Sequence, residues 1–127
     1  MEYEDVIKAT VAAFPQFEID ELNHDLPYAV AGDFARFLLE LYKNRDVNTL
    51  VEGLGFIEKL HLSKSHKVRE LATVGYLEGI QNVWGNSDVD PELIFDYLGV
   101  ESKKWWIELN KFWNGEIKYL GYSFKDR

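Results

Sequence analysis

The side chains with chemical potential in this sequence are three histidines, one run of alternating oxygen donors and many neighbouring carboxylates. The histidines are His24, His61 and His66. A zinc site needs three or four ligands closing a tetrahedron. His61 and His66 stand five residues apart and straddle a turn, there is no cysteine, and no HExxH occurs, so no metal site is expected. The run Asn86-Ser87-Asp88-Val89-Asp90-Pro91-Glu92 has the alternating oxygens of a calcium loop. It lacks the two residues such a loop requires: Pro91 replaces the glycine of the sharp turn, and Tyr97 falls where the bidentate glutamate belongs. A loop leading into a capped helix accounts for it.

Catalytic patterns are missing as well. There is no GxSxG elbow and no phosphate-cradling glycine loop, and Gly53-Leu54-Gly55 lies inside a helical pattern rather than after a strand. Acid/base chemistry needs two carboxyls held in a cleft with pKa values pushed apart, and pairs such as Glu4-Asp5 or Asp20-Glu21 read equally well as a solvated face. The expectation is a protein that is not an enzyme and holds no cofactor. The absence of cysteine also removes disulfides and thiolate nucleophiles.

What remains is charge. The chain carries a net charge of −8 over 127 residues. Residues 1–63 hold 12 acids and 5 bases, residues 64–127 hold 10 acids and 9 bases, so nearly all the excess lies in the first half. Such a field repels nucleic acid and anionic membranes and attracts basic proteins. Its focus is Glu18, Asp20, Glu21 and Asp25, interleaved with Phe17, Ile19, Leu22 and Leu26. Acids beside exposed apolar side chains steer a basic partner and then grip it, and these four carboxylates are the candidate partner-binding residues. The alternative is an amphipathic segment with a wet acidic side. Lys103-Lys104-Trp105-Trp106 mixes charge with rings as a nucleic-acid surface does, but the net charge opposes that use. Adjacent helical residues point about 100° apart, so one of the two Trp is expected to be partly exposed.

The elements that position these residues are helical. Pro15, Pro27 and Pro91 fall where helical patterns break. The periodicity predicts a first helix over 2–14, a short acidic helix over 18–24, and a long helix over 27–43 with Phe34, Phe37, Leu38 and Leu41 on one face. Arg36 and Glu40 form an i,i+4 pair worth about 0.3 kcal/mol. Asp46 caps a helix over 47–62 with Val47, Leu50, Val51, Leu54 and Ile57 inward. Ser63 or Ser65 caps the next, over 66–83, and Asp90-Pro91 opens another that stops at Gly99. A last helix covers 101–114, with Trp105, Leu109, Phe112 and Trp113 on one stripe and Gly115 at its end. Gly53, Gly55, Gly75 and Gly79 lie inside these helices, and the one-face spacing of Ala72, Gly75 and Gly79 points to a close helix crossing, the alternative being a kink or a cleft near a partner. The tail, residues 116–127, reads as either an irregular strap or a short β pair.

The fold expected is therefore all-α: one domain over 1–127, six or seven helices in a bundle or a short HEAT-like stack of helix pairs. No apolar run of signal or membrane-spanning length occurs, which suggests a cytoplasmic protein.

Several segments taken together resemble a known group. They are Phe14-Pro15-Gln16-Phe17, Asp33-Phe34-Ala35-Arg36-Phe37, Gly55-Phe56-Ile57-Glu58-Lys59-Leu60, the stretch from Glu70 to Glu78, the stretch from Tyr97 to Ser102, and Trp106 to Trp113. The chain resembles a family of short, all-helical bacterial proteins of largely unassigned function, whose members look like immunity proteins of polymorphic-toxin and contact-dependent growth inhibition systems. The resemblance implies a stoichiometric inhibitor that binds a cognate toxin, often a basic nuclease, with an acidic surface. It implies no particular binding residue, and Glu78 beside Gly75 and Gly79 is read as a buried capping or pairing carboxylate. The rival readings are a helical adaptor for another protein, and a small enzyme with carboxylates in a cleft.

Overall fold

The structure, a computed structural model, describes residues 1–118. Among them there are helices and turns and no strand, as the sequence predicts. The β alternative for the tail concerns Tyr119, Leu120, Tyr122 and Phe124, which lie outside the described residues.

Six α-helices carry the fold: α1 (Val6–Ala13), α2 (Pro27–Lys43), α3 (Val47–His61), α4 (His66–Glu70), α5 (Glu78–Asn86) and α6 (Val100–Trp113). A π-helical segment, Leu71–Leu77, joins α4 to α5, so residues 66–86 form one continuous rod. Short 3-10 turns stand at Tyr3–Asp5, Glu21–Asn23 and Pro91–Tyr97. Where the periodicity predicts helices over 18–24 and 91–98, the chain makes only these tighter turns. Each opens on an aspartate that satisfies a free N–H: Asp20 accepts from Leu22, and Asp90 accepts from Glu92.

α2 lies at the centre because it is apolar on most of its circumference. Val30, Ala31, Phe34, Ala35, Leu38, Leu39 and Leu41 are all buried. One side packs on the π segment and α5, the other on α3. Small residues set that approach. A Cβ added at Gly75 would stand 3.3 Å from the Ala31 side chain, and one at Gly79 would stand 3.5 Å from the Ala31 carbonyl oxygen. Trp84 extends the contact by donating its indole N–H to the Ala35 carbonyl at 3.1 Å. Gly55 does not follow this pattern: nothing lies within 4 Å of the place its Cβ would take.

α3 turns inward part of the stripe that its apolar residues suggest. Leu50, Leu54, Ile57 and Leu60 are buried with Gly53 and Phe56, while Val47 and Val51 are exposed. Both Trp105 and Trp106 are buried, so neither serves as an exposed anchor; Trp106 reaches Glu92 with its indole N–H. Of the four tryptophans the exposed one is Trp113, at the end of the predicted stripe. Arg36 pairs with Asp33 at 2.8 Å rather than with Glu40. Ser65, not Ser63, caps α4 through the Val68 N–H, and Gly115 ends α6 at φ +77°.

Buried polar groups lock the helix junctions. His61 is enclosed, with Nδ1 2.9 Å from the Ser102 hydroxyl and Nε2 2.9 Å from the Thr73 hydroxyl, so one ring ties α3 to α6 and to the π segment. The Thr10 hydroxyl donates to the Val6 carbonyl and meets the Tyr76 hydroxyl at 3.0 Å, joining α1 to the rod. Burial pushes the Tyr76 phenol up to about 12, against a smaller opposing effect of the Thr10 bond. Glu58 reaches from α3 to the start of α6 and accepts from the Glu101 and Ser102 N–H groups at 3.0 and 2.8 Å. Burial alone would raise the Glu58 carboxyl; the two backbone N–H bonds, together with the Ser102 hydroxyl and the nearby His61, outweigh it and hold the group below its ordinary value.

Two outcomes follow for stability. Glu58→Ala removes the cap on α6 and is expected to cost about 1–2 kcal/mol at neutral pH. A carboxyl with a lowered folded pKa stabilises above its unfolded value, 4.5, and loses that contribution as pH falls through the folded one. Urea titrations should therefore show the gap between wild type and Glu58→Ala closing below pH 4.5. Gly55→Ala, in an open stretch of helix, should raise the unfolding free energy by about 0.5–1 kcal/mol in the same assay.

Candidate protein-interaction site

The acidic segment is a loop, and its two ends are fixed by rings. The turn Phe14-Pro15-Gln16-Phe17 closes through the Phe17 N–H to the Phe14 carbonyl at 2.9 Å. Phe14 and Phe17 then enter a cluster with Phe34, Phe37 and Phe56, with centroids 5.2–6.2 Å apart. Ring pairs at these separations attract beyond the area they bury. At the other end Pro27 sets the first turn of α2.

Between these ends a single carboxylate holds the loop. Asp33 is only 9% exposed and projects from α2 under the loop. One oxygen accepts from the Asp20 N–H at 3.3 Å and from the Asn23 side-chain amide at 2.9 Å, while the other accepts from the Arg36 guanidinium at 2.8 Å. A buried carboxylate with three donors is satisfied, and its partners cannot leave without exposing an unpaired charge. Asp33 is the residue of this candidate site that the sequence reading missed. The signal was present: an acid three residues after Val30 and four before Phe37 lies on the inward side of α2, where a charge requires partners.

The four acids read from the sequence are all exposed. Glu18, Asp20, Glu21 and Asp25 are therefore held on one short loop, but their roles differ. Asp20 spends one oxygen on capping the 3-10 turn. Glu18, Glu21 and Asp25 make no such bond among the described residues. The apolar residues between them divide. Phe17 is buried and Ile19 is half-buried, whereas Leu22 is 86% exposed and Leu26 is 54% exposed. A leucine so exposed at the tip of an acidic turn contributes nothing to the core; it gains only when another surface covers it.

Two open clefts flank the loop and share Phe17 and Ile19 as their dividing ridge. The first, about 430 Å³, has Glu18, Asp20, Asp33 and Glu40 against the single cation Arg36. The second, about 480 Å³, lies against α1 and is mostly apolar. In a separate cleft Glu92 accepts from Asn110, which in turn accepts from Gln81, and exposed Trp113 lines the same cleft. Glu78, expected to be a capping or pairing carboxylate, is half-buried with no hydrogen-bonded or ionic partner among the described residues, and burial raises its carboxyl. Among the described residues no three His, Asp or Glu side chains converge as a metal site, and no helix is long and apolar enough to cross a membrane.

Comparison with known proteins bears on the family alone. A family model described as a domain of unknown function, DUF7674, matches residues 7–114, and the chain belongs to that family. The match spans the acidic loop and continues past the end of α6. No curated protein and no solved structure matches the chain.

Because Asp33 holds the loop through its backbone, Asp33→Ala should loosen residues 18–24 while leaving the helical core intact. Amide hydrogen exchange is expected to speed up in that loop by about tenfold or more, consistent with loss of roughly 1–3 kcal/mol of local stability. Unchanged exchange there, or exchange that rises equally throughout the chain, would contradict this role.

Proposed function

We propose that this DUF7674 member is a binding protein that takes up a basic protein partner on the loop carrying Glu18, Asp20, Glu21 and Asp25. In its specific form the reading is an immunity protein, with a basic toxin domain such as a nuclease as the cognate partner, acting in the cytoplasm where such a toxin does its damage. The observation that carries the proposal is the position of Leu22. It stands 86% exposed among the four carboxylates, on a loop pinned from below by Asp33.

Physically the arrangement suits capture. Exposed like charges raise the encounter rate with a cationic surface but add little affinity once screened by salt. An exposed leucine adds apolar area that the partner removes from water, at about 25 cal/mol per Å², and so slows release. A pre-ordered loop avoids part of the entropy cost that a flexible segment suffers on docking. The net charge of −8 and its concentration in the first half of the chain support the same partner class and argue against nucleic acid and anionic membranes. A nuclease must present cations to its substrate, and a rigid acidic loop competes for them.

The test separates steering from folding. Asp20 caps its own turn, so charge reversal is cleanest at Glu18, Glu21 and Asp25. Tagged wild-type protein and the Glu18→Lys/Glu21→Lys/Asp25→Lys variant are used for capture from the native cell at low salt. Wild type is expected to retain a basic protein in stoichiometric amount, released by raised salt. The variant should bind that protein at least tenfold more weakly, mainly through a slower association rate, with an unchanged thermal melt. Co-expression of the captured partner then decides the specific form: growth arrest relieved by wild type and not by the variant supports immunity. Equal capture by both proteins would move the interface away from this loop.

A further inference from the structure

The cleft where α5, the 3-10 turn Pro91–Tyr97 and α6 converge is built differently from the two beside the acidic loop. It has a volume of about 250 Å³ and is lined by Gln81, Asn82, Pro91, Glu92, Asn110 and Trp113. Its polar side chains order one another. The buried Trp106 donates its indole N–H to Glu92 Oε2, the Asn110 amide donates to the same oxygen at a long 3.5 Å, and the Gln81 amide donates to Asn110 Oδ1 at 3.2 Å. Packing accounts for that much: Trp106 needs an acceptor, and the Gln81–Asn110 bond ties α5 to α6. It does not account for the other two. Asn82 is exposed and makes no hydrogen bond among the described residues, and Trp113 is 56% exposed.

The hydrogen-bonding groups left over define a ligand. A carboxamide has two N–H donors and an acceptor oxygen. Gln81 and Asn110 each commit one N–H to the chain and keep the other, Gln81 and Asn82 keep their oxygens, and Glu92 keeps Oε1. Donors and acceptors are therefore offered together, beside an exposed indole. Glu92 is the one charged side chain among the described residues that line the cleft, so an anion is disfavoured. A small cation would use Glu92 and the indole face and leave three carboxamides idle. A sugar hydroxyl both donates and accepts, which matches a carboxamide at each contact, and the C–H face of a pyranose lies against an indole. The volume falls below the roughly 300–1,000 Å³ of drug-sized sites, which limits the occupant to one ring-sized unit.

We propose that this cleft binds one pyranose unit of a neutral saccharide, its C–H face on Trp113 and its hydroxyls on Gln81, Asn82, Asn110 and Glu92. The cleft shares no lining residue with the two that flank the acidic loop, so the site stands or falls apart from the protein-binding reading.

Proton–nitrogen NMR of the full chain reads the site directly, because the side-chain amides of Gln81, Asn82 and Asn110 and the indole N–H of Trp113 each give a signal. The probes are the methyl glycosides of glucose, galactose, mannose and N-acetylglucosamine, compared with glycerol and tetramethylammonium chloride. At least one glycoside should shift these four signals together, saturate with a Kd on the order of 1 mM, and leave residues 18–25 unmoved. Trp113→Ala should weaken that binding by about tenfold and Asn82→Ala by about fivefold, both being changes at exposed positions, while Trp113→Phe should retain part of it. Backbone amide signals unchanged outside the cleft show that each variant is folded, and should Trp113→Ala unfold the chain, Asn82→Ala and Trp113→Phe carry the test. Absence of shifts with every glycoside, equal shifts with glycerol, or saturable shifts that survive these substitutions overturn the proposal. Shifts with tetramethylammonium and with no glycoside also overturn it, and make the cleft a cation site.

Discussion

The close crossing of α2 with the rod of residues 66–86 is the constraint on which the molecule depends. α2 is buried on two sides, and a helix so enclosed has little room for long side chains where another helix crosses it. Ala31, Ala35, Gly75 and Gly79 meet at that crossing, and the indole of Trp84 binds the α2 backbone beside it. With α2 fixed in this way, its remaining circumference sets everything else. Phe34 and Leu38 receive α3, Phe34 and Phe37 receive the two rings of the Phe14–Phe17 turn, and Asp33 receives the acidic loop. The putting of one carboxylate into an apolar helix makes sense only in this setting. It is the means by which a rigid core imposes a shape on a polar loop that has no core of its own.

The interior is not uniformly apolar. His61 with Thr73 and Ser102, Thr10 with Tyr76, and Glu58 with the first turn of α6 each join elements far apart in sequence. Each requires its partners at hydrogen-bonding distance, whereas apolar contacts tolerate sliding by a turn. These bonds add modestly to net stability but discriminate strongly against wrong helix registers, because a misregistered helix leaves a buried donor or acceptor unpaired. Gly99 shows how tightly one of them is built. A Cβ there would lie 2.3 Å from the Glu58 carboxyl carbon, so the cap and the glycine occupy one space.

Much of the fold was legible in the sequence because prolines, capping aspartates and apolar stripes mark helices directly. The bounds of α2, Pro27–Lys43, agree with the periodicity residue for residue, and α3 and α6 agree to within about one residue at each end. What was not legible depended on choices that local sequence leaves degenerate. α3 has apolar residues on more than one face, and only the packing on Phe34 and Leu38 decides that Gly53 and Phe56 turn inward while Val47 and Val51 turn out. Arg36 has an acid at both i−3 and i+4, and the buried one holds it. The adjacent Trp105 and Trp106 both find cover because α6 packs on two elements rather than one. Of the candidate site, the four acids could be read from charge alone; Asp33, which holds the loop from another helix, was signalled only by its place on the inward side of α2.

The π segment at Leu71–Leu77 absorbs one residue without changing the rotational phase of α5. Its bonds skip five residues rather than four, as in the Glu78 N–H reaching the Thr73 carbonyl, which places one extra residue in a turn without breaking the rod. That extra residue lets Leu71, Ala72, Thr73, Gly75, Tyr76 and Leu77 all be enclosed, a denser run than one face of an α-helix allows. It also makes this stretch the place where the rod can absorb a change of one residue in length. Were one residue lost here and ordinary winding restored, residues 78–86 would keep nearly their present phase; were the same loss not absorbed, they would turn by about 100° and take Ile80 and Trp84 out of the interior together. In relatives of this chain, the loss of a single residue within the rod should accordingly be tolerated in this stretch and excluded from α5.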